Sequence, residues 1–377
     1  MPAWLKPLAW PLLIAVFAAT IYTVRIHTEM VDFAVYRTAA ERALEAGNLY
    51  RPTDGHYQFK YLPAFAFAMA PFTLVESRIA RLLWYALSFG LLSAFVRWSV
   101  RALPEKRRTE RVLIWLAILF VGKYYARELN LGQTNLLLGA TLLLALVAAE
   151  AGAKRTAGVL VALGVFIKPY ALILVPWLWV VAGPAALVTG GAVLAAGLAL
   201  PALVYGWQGN IDQAIGWYRT VTVTSAPNLL VPENVSIAAS WAKWIGVGPP
   251  AAFLASVTGL VALALSALVV AKRRGVREPA YLEFGTFMLL VPLLSPQGWD
   301  YVMLLGTPAI LVLVDRWREL TPAWRGITAV ALAGFSFTIF DIVGRRLYTL
   351  AMERNFIGVC ALVLIGCLVN VRLRRLA

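Results

Sequence analysis

The chain of 377 residues is 61% apolar and only 14% charged, with a mean hydropathy of +0.75. Soluble domains average roughly half apolar and a quarter charged, so an ordinary soluble enzyme is excluded and an all-α polytopic membrane protein is expected. Its 34 basic against 19 acidic residues leave a net charge of +15, which in a membrane protein follows from the positive-inside bias and gives no reason to expect a nucleic-acid partner.

At about 20 apolar residues per crossing, the apolar residues fill roughly eleven or twelve spans. Almost nothing is left for a soluble domain, so 1–377 is expected to be one integral membrane domain. Basic clusters flank apolar runs at Arg97, Arg101, Lys106, Arg107, Arg108 and Arg111, at Lys154 and Arg155, at Lys272, Arg273, Arg274 and Arg277, and at Arg372, Arg374 and Arg375. They mark the cytoplasmic ends.

Lys6 and the apolar run Pro7 to Val24 read as an uncleaved signal anchor with its amino end inside, since no small-x-small cleavage site precedes Arg25. The first external loop, 25–78, follows. It carries an amphipathic helical stretch from Phe33 to Ala46, ended by Gly47-Asn48, that lies on the membrane surface. It also carries the run Tyr61 to Pro71, too short to cross and bracketed by Pro63 and Pro71, which predicts a re-entrant or interfacial helix. Crossings are expected near 79–97, 112–127, 134–150, a short pair broken at Lys168-Pro169, 185–206, 250–271, 280–294, 300–314, 323–342 and 355–371.

On this map the other external segments are 128–133, the long loop 207–249, 295–299 and 343–354, and Arg345 and Arg346 fall outside against the charge bias. The long loop is rich in Trp207, Trp217, Tyr218, Trp241 and Trp244, which suits interfacial anchoring or sugar stacking. Cys360 and Cys367 are seven residues apart, about 10 Å along a helix, beyond the roughly 7 Å a disulfide spans. Two histidines, His27 and His56, offer no cluster of metal-ligand spacing, and no glycine-rich phosphate loop follows a strand pattern.

Ionisable groups at membrane depth cost several kcal/mol unless paired or facing a watery cavity. Three places qualify. Glu29 and Asp32 follow the first span, where Asp32 either caps the amphipathic helix or serves chemistry. Lys123 and Arg127 share a helical face near an outer end, followed by Asn130, Gln133 and Asn135; they suit an anion, or simply snorkel to the interface. Lys168-Pro169 interrupts the apolar stretch Val159 to Val181, so the lysine needs an anion and the break opens a cavity. One carboxylate, several cations and nearby tryptophans suit a phosphate-bearing lipid with a polar head, the carboxylate acting as general base.

Asp32-Phe33-Ala34-Val35-Tyr36 with Ala39-Ala40, Gly47-Asn48-Leu49-Tyr50, and Phe59-Lys60-Tyr61-Leu62-Pro63-Ala64-Phe65-Ala66 with Pro71 resemble the opening of glycosyltransferase family 87. These are polyprenyl-phosphate-mannose-dependent α-mannosyltransferases of the GT-C superfamily. In the same order, Leu131-Gly132-Gln133-Thr134-Asn135 is similar to the family's L-G-Q-x-N and Ala157-Gly158 through Lys168-Pro169 to its A-G to K-P segment. Asn234-Val235-Ser236 is similar to its N-x-S, and Ser295-Pro296-Gln297-Gly298-Trp299 to its S-P-x-x-W. The resemblance covers about residues 10 to 315, and it departs where the family often has a histidine and this chain has Asp300-Tyr301.

The resemblance implies a GT-C type fold of about 12 transmembrane helices with juxtamembrane helices in the first external loop. It implies an outward-facing active site in the bacterial cytoplasmic membrane, a polyprenyl-phosphate-sugar donor, most simply mannose, and a glycolipid or glycan acceptor. Asp32 maps onto the catalytic base, with substrate contacts from Lys60, Tyr61, Lys123, Arg127, Gln133, Asn135, Lys168, Asn234, Trp299 and Asp300. No cofactor is implied, and no metal is expected, because Met30 and Ala34 flank Asp32 where a D-x-D motif would need a second acid. The competing reading is a transporter or flippase of lipid-linked sugars, whose midplane site would be the Lys168-Pro169 break.

Overall fold

A computed structural model describes residues 16–375. Over these residues the chain is all-helical, and an isolated antiparallel bridge between Asn234 and Trp299 is the one β-type pairing among them. Lys6, Pro7 and the first part of the expected anchor lie outside the described residues; the remainder is helical over 16–24.

Among the described residues three helices are long and apolar enough to cross a bilayer: Ser77–Ala102 with 26 residues, Pro249–Ala271 with 23 and Phe356–Leu373 with 18. A fourth span is possible in Pro184–Ala199 with Ala202–Asn228, a pair bent by 91°. Other apolar helices, among them Asn135–Glu150 and Ala280–Leu294, are shorter. At about 1.5 Å per residue, a 15- or 16-residue helix reaches roughly 24 Å, short of the ~30 Å hydrocarbon layer. None of these shorter helices crosses the layer on its own. Ala280–Leu294 is buried at every position through Leu293, as a helix apolar on all sides must be.

Helices Lys154–Ile167 and Pro184–Ala199 cross with almost no space between them. A Cβ built at Gly158 would lie 2.0 Å from the Ala186 carbonyl oxygen, and one at Gly190 would lie 2.9 Å from that of Gly158. Small residues permit such backbone contact, which replaces hydrophobic driving force between helices in a bilayer. Gly158→Ala is accordingly expected to cost about 1–3 kcal/mol through overpacking, read as a lowered thermal midpoint in detergent, whereas Gly191→Ala, with open space around it, leaves the midpoint unchanged.

Several expectations change in detail. The segment 207–249 is largely helical: Ala202–Asn228 is one helix redirected at Gly206 (φ 68°, ψ 170°), and Ile237–Ile245 is another. Ile237–Ile245 is amphipathic and opened by a Ser236 cap, a signal local to the chain, whereas Ala202–Asn228 has no comparable apolar face. The run Tyr61 to Pro71 forms two short pieces, Pro63–Ala68 and the 3-10 turn Ala70–Thr73, each with a proline in its first two positions. Asp32 does not cap its helix. Val31–Leu44 is preceded by Met30 in the left-handed region (φ 40°), and Asp32 is its second residue. Cys360 and Cys367 are free and buried.

Basic clusters far apart in sequence converge at one end of the molecule. The backbone N–H groups of Arg107 and Arg108 donate to Asp315 Oδ1 at 2.9 and 3.0 Å, and Arg107 Nε reaches Glu319 at 2.6 Å. Arg273 and Arg372 both approach Glu283, at 3.4 and 3.6 Å. The helix Glu110–Leu131 starts beside this basic end, and its 22 residues carry the chain about 33 Å to the opposite one. Arg345–Glu353 packs at that opposite end, where its Met352 carbonyl accepts from Lys243 at 3.1 Å.

Candidate active site

Two interruptions of the helices and one loop pairing build the site. The first is Leu131-Gly132-Gln133-Thr134-Asn135. Gly132 ends the helix Glu110–Leu131 in the left-handed conformation (φ 67°, ψ 38°), its N–H and that of Gln133 folding back onto the last carbonyls. A Cβ there would lie 2.9 Å from Phe33 and 3.1 Å from Met30, so glycine is needed for space as well as for dihedral angle. The catalytic-candidate helix docks on this turn, with Met30 N–H donating to the Asn130 carbonyl at 2.9 Å.

The second interruption is Lys168-Pro169. Lys154–Ile167 stops at Lys168, which is extended (φ −152°, ψ 122°), and a 3-10 turn Pro169–Leu174 follows. Proline removes a helical donor and disfavours helix at the residue before it. The side chain of Lys168 thereby turns inward. The pairing joins Asn234-Val235-Ser236 to Ser295-Pro296-Gln297-Gly298-Trp299. Val235 N–H donates to Gly298 O at 2.7 Å, and Asn234 Nδ2 donates to the carbonyls of Asn228 and Pro296 at 2.9 and 2.7 Å.

Between these pieces lies a cavity of about 400 Å³. Of the expected residues, Asp32, Lys60, Tyr61, Arg127, Gln133, Lys168 and Trp299 line it, and Asp32 is the sole carboxylate among the lining residues. Four others stand behind the wall. Lys123 Nζ donates to the Thr338 carbonyl at 3.1 Å and lies 4.7 Å over the Tyr124 ring, so it does not join Arg127 in one anion site despite sharing its helix. Asn135 is buried and reaches only protein groups. Asn234 is consumed by the loop pairing. Asp300 is held 3.3 Å from Arg127 Nη1 and supports that guanidinium, which also meets Glu233 at 3.5 Å.

One hydrogen-bonded network organises the floor. Lys168 Nζ donates to Asn135 Oδ1 at 2.8 Å and to Gln133 Oε1 at 3.3 Å, within 6 Å of the Tyr61, Tyr170 and Tyr301 rings. Gln133 Oε1 also accepts from Tyr36 at 3.0 Å, and its amide N–H donates to the Tyr301 hydroxyl at 3.1 Å. The hydroxyls of Tyr36 and Tyr61 are 2.7 Å apart. Burial raises the Asp32 carboxyl above the ordinary carboxylate value, opposed by the Gln133 side chain and by Lys168, Lys60 and His56. Burial likewise lowers the Lys60 ammonium, with Asp32 opposing. Burial dominates both shifts, and each of the two groups partly offsets the shift of the other.

The sequence did not single out Tyr36, His56, Gln58, Glu128, Tyr170, Gln297 or Tyr301 as site residues. His56, Gln58, Tyr170, Gln297 and Tyr301 line the cavity, as does Trp217, whose indole N–H donates to the Lys60 carbonyl at 3.1 Å. Gln297 is recoverable from its motif, being anchored by donation to Thr224 and Ser225 at 3.0 and 3.2 Å. Among the described residues no three His, Cys, Asp or Glu side chains cluster so as to hold a metal ion.

Such an assembly, apolar helices around a polar cavity lined by one carboxylate and several cations, is that of a membrane protein with a polar internal site. Residues 59–296, well over half of the chain, match the sequence model of glycosyltransferase family 87, and the chain belongs to that family. It is a glycosyltransferase, with a sugar donor and an acceptor as its substrates. Membership decides for group transfer against the transporter reading. The matched stretch begins after Asp32 and takes in the cavity residues from Lys60 to Pro296. No curated protein and no solved structure gives a significant match to the chain.

Proposed function

We propose that the protein transfers a hexose, mannose before other sugars, from a polyprenyl-phosphate donor to a glycolipid or glycan acceptor at the outer face of the bacterial cytoplasmic membrane, with inversion. The observation that carries this reading is the composition of the cavity wall, which Asp32 shares with Lys60, Arg127 and Lys168. The acceptor hydroxyl loses its proton to Asp32 as its oxygen bonds to the anomeric carbon. The bond from that carbon to the phosphate oxygen breaks, and the phosphate leaves with the electron pair. A phosphodiester with one negative charge becomes a monoester carrying up to two, so fixed cations stabilise the leaving group more strongly than the substrate. A β-linked donor then yields an α-linked product.

The outward orientation is supported by the convergence of the basic clusters near the start of the helix Glu110–Leu131, whose far end carries Arg127 and Leu131 to the cavity, since cations mark the cytoplasmic side. A count of about 12 spans follows if the short apolar helices, stacked end to end or tilted in pairs around breaks such as Lys168-Pro169, complete crossings between them. Substrate contacts from Lys60, Tyr61, Arg127, Gln133, Lys168 and Trp299 belong to this proposal. Lys123, Asn135, Asn234 and Asp300 act behind the wall.

The test is transfer by the purified protein from a panel of radiolabelled polyprenyl-phosphate sugars and nucleotide sugars. Polyprenyl-phosphate-mannose is expected to support α-linked product. Turnover with a nucleotide sugar alone, or a β-linked product from the β-linked donor, would sink the proposal.

A further inference from the structure

Glu128 is a wholly buried carboxylate that the proposed chemistry does not use. Its Oε1 accepts from the Leu136 backbone N–H at 3.0 Å, capping the helix Asn135–Glu150, whose own N-cap residue Thr134 makes no side-chain cap. A cap needs one oxygen. The other, Oε2, accepts from Asn135 Nδ2 at 2.7 Å. An ionised carboxylate only accepts hydrogen bonds, whereas an amide has a donating and an accepting end. Glu128 therefore fixes which way Asn135 points, leaving Oδ1 toward Lys168 Nζ at 2.8 Å and the Tyr170 hydroxyl at 3.1 Å. The flipped amide would set donor against ammonium and acceptor against carboxylate.

Lys168 has three N–H donors. Asn135 and Gln133 engage two, and the lysine lines the cavity. We infer that Glu128 is a positioning residue for Lys168: through Asn135 it holds the ammonium so that one N–H stays directed at an anionic phosphate in the cavity. The inference rests on the lipid-phosphate donor proposed above and assigns the geometry of its recognition to a residue that touches no substrate.

Undecaprenyl phosphate is the probe, its binding read as quenching of the fluorescence of the cavity tryptophans Trp217 and Trp299, with the thermal midpoint as the check on folding. Glu128→Gln offers Asn135 either end of an amide and is expected to weaken binding about tenfold or more, misplacement of a contact by ~1 Å being enough for such losses. Glu128→Asp keeps the charge but withdraws the oxygens by roughly one C–C bond, about 1.5 Å. It is expected to weaken binding by a similar factor, and it carries the test should Glu128→Gln fail to fold. The double variant Glu128→Gln with Asn135→Asp re-forms the pair with the donor now at position 128, leaves an acceptor toward Lys168, and recovers most of the affinity, which a role limited to capping the helix would not produce. Wild-type affinity in both single variants, or no recovery in the double variant, overturns the inference while leaving the donor assignment intact. A wild-type protein that binds no undecaprenyl phosphate overturns the donor assignment and this inference with it.

Discussion

An Asp32→Asn variant is expected to fold like the native protein and to transfer sugar about 10²- to 10⁴-fold more slowly, the range that general-base catalysis supplies. Asparagine keeps the shape of the side chain but cannot take the acceptor proton. Folding should survive because Asp32 does not cap its helix and, among the described residues, is in no ion pair. Burial holds its carboxyl above the ordinary value. An acid with a raised folded pKa favours folding below its unfolded value and forfeits that contribution as pH rises through the folded value. At neutral pH the neutral amide is thus expected to be equal or slightly superior in thermal midpoint. The same shift places the acid limb of the pH–rate profile above the usual carboxylate range, because the base must be ionised to work. Rates of radiolabelled transfer by both proteins across pH, with midpoints measured in parallel, check this. Native-level transfer by the folded variant would remove Asp32 from the reaction.

How much of this was legible in the sequence depends on whether a residue's role is local. Gly132 after an apolar helix, and proline directly after Lys168, are signals of the chain itself, and both breaks lie where those residues place them. Asn234 and Trp299 were visible as motif positions, but their pairing across a loop was not, since no short-range pattern encodes an isolated bridge. Glu128 shows the limit more sharply. Beside Arg127 at the outer end of a helix it reads as a solvated charge, and only the return of the chain through Gly132 folds it against Asn135 and out of water. The stretch 207–249 is expected as a tryptophan-rich external loop, yet in the helix Ala202–Asn228 the Thr224 and Ser225 hydroxyls meet Gln297 and the Trp217 indole meets the carbonyl of Lys60.

Lys123 and Lys168 looked alike as cations in apolar surroundings, and their replacement by methionine is expected to separate them. Methionine retains an apolar stem and removes the ammonium, both its charge and its N–H donors. Lys168 lines the cavity with a donor to spare, so Lys168→Met should lower turnover about 10²- to 10³-fold, the usual cost of losing a preorganised donor to developing negative charge. Lys123→Met should change turnover by no more than about threefold, because its ammonium is occupied by the Thr338 carbonyl and the Tyr124 ring and contributes to the cavity only at long range, where a charge in a polar surround is worth little. Its expected effect is on the packing of Glu110–Leu131 against Pro322–Phe337, where Tyr124 also donates to the Phe335 carbonyl at 2.6 Å, and so on the thermal midpoint. The discriminating measurement is kcat at saturating polyprenyl-phosphate-mannose for both variants. A weakened ground-state contact raises KM alone, whereas a contact that strengthens as the phosphate leaves lowers kcat. Equal losses of kcat in the two variants would mean that the leaving phosphate senses the general positive field of the site rather than the one ammonium that Asn135 and Gln133 hold in place.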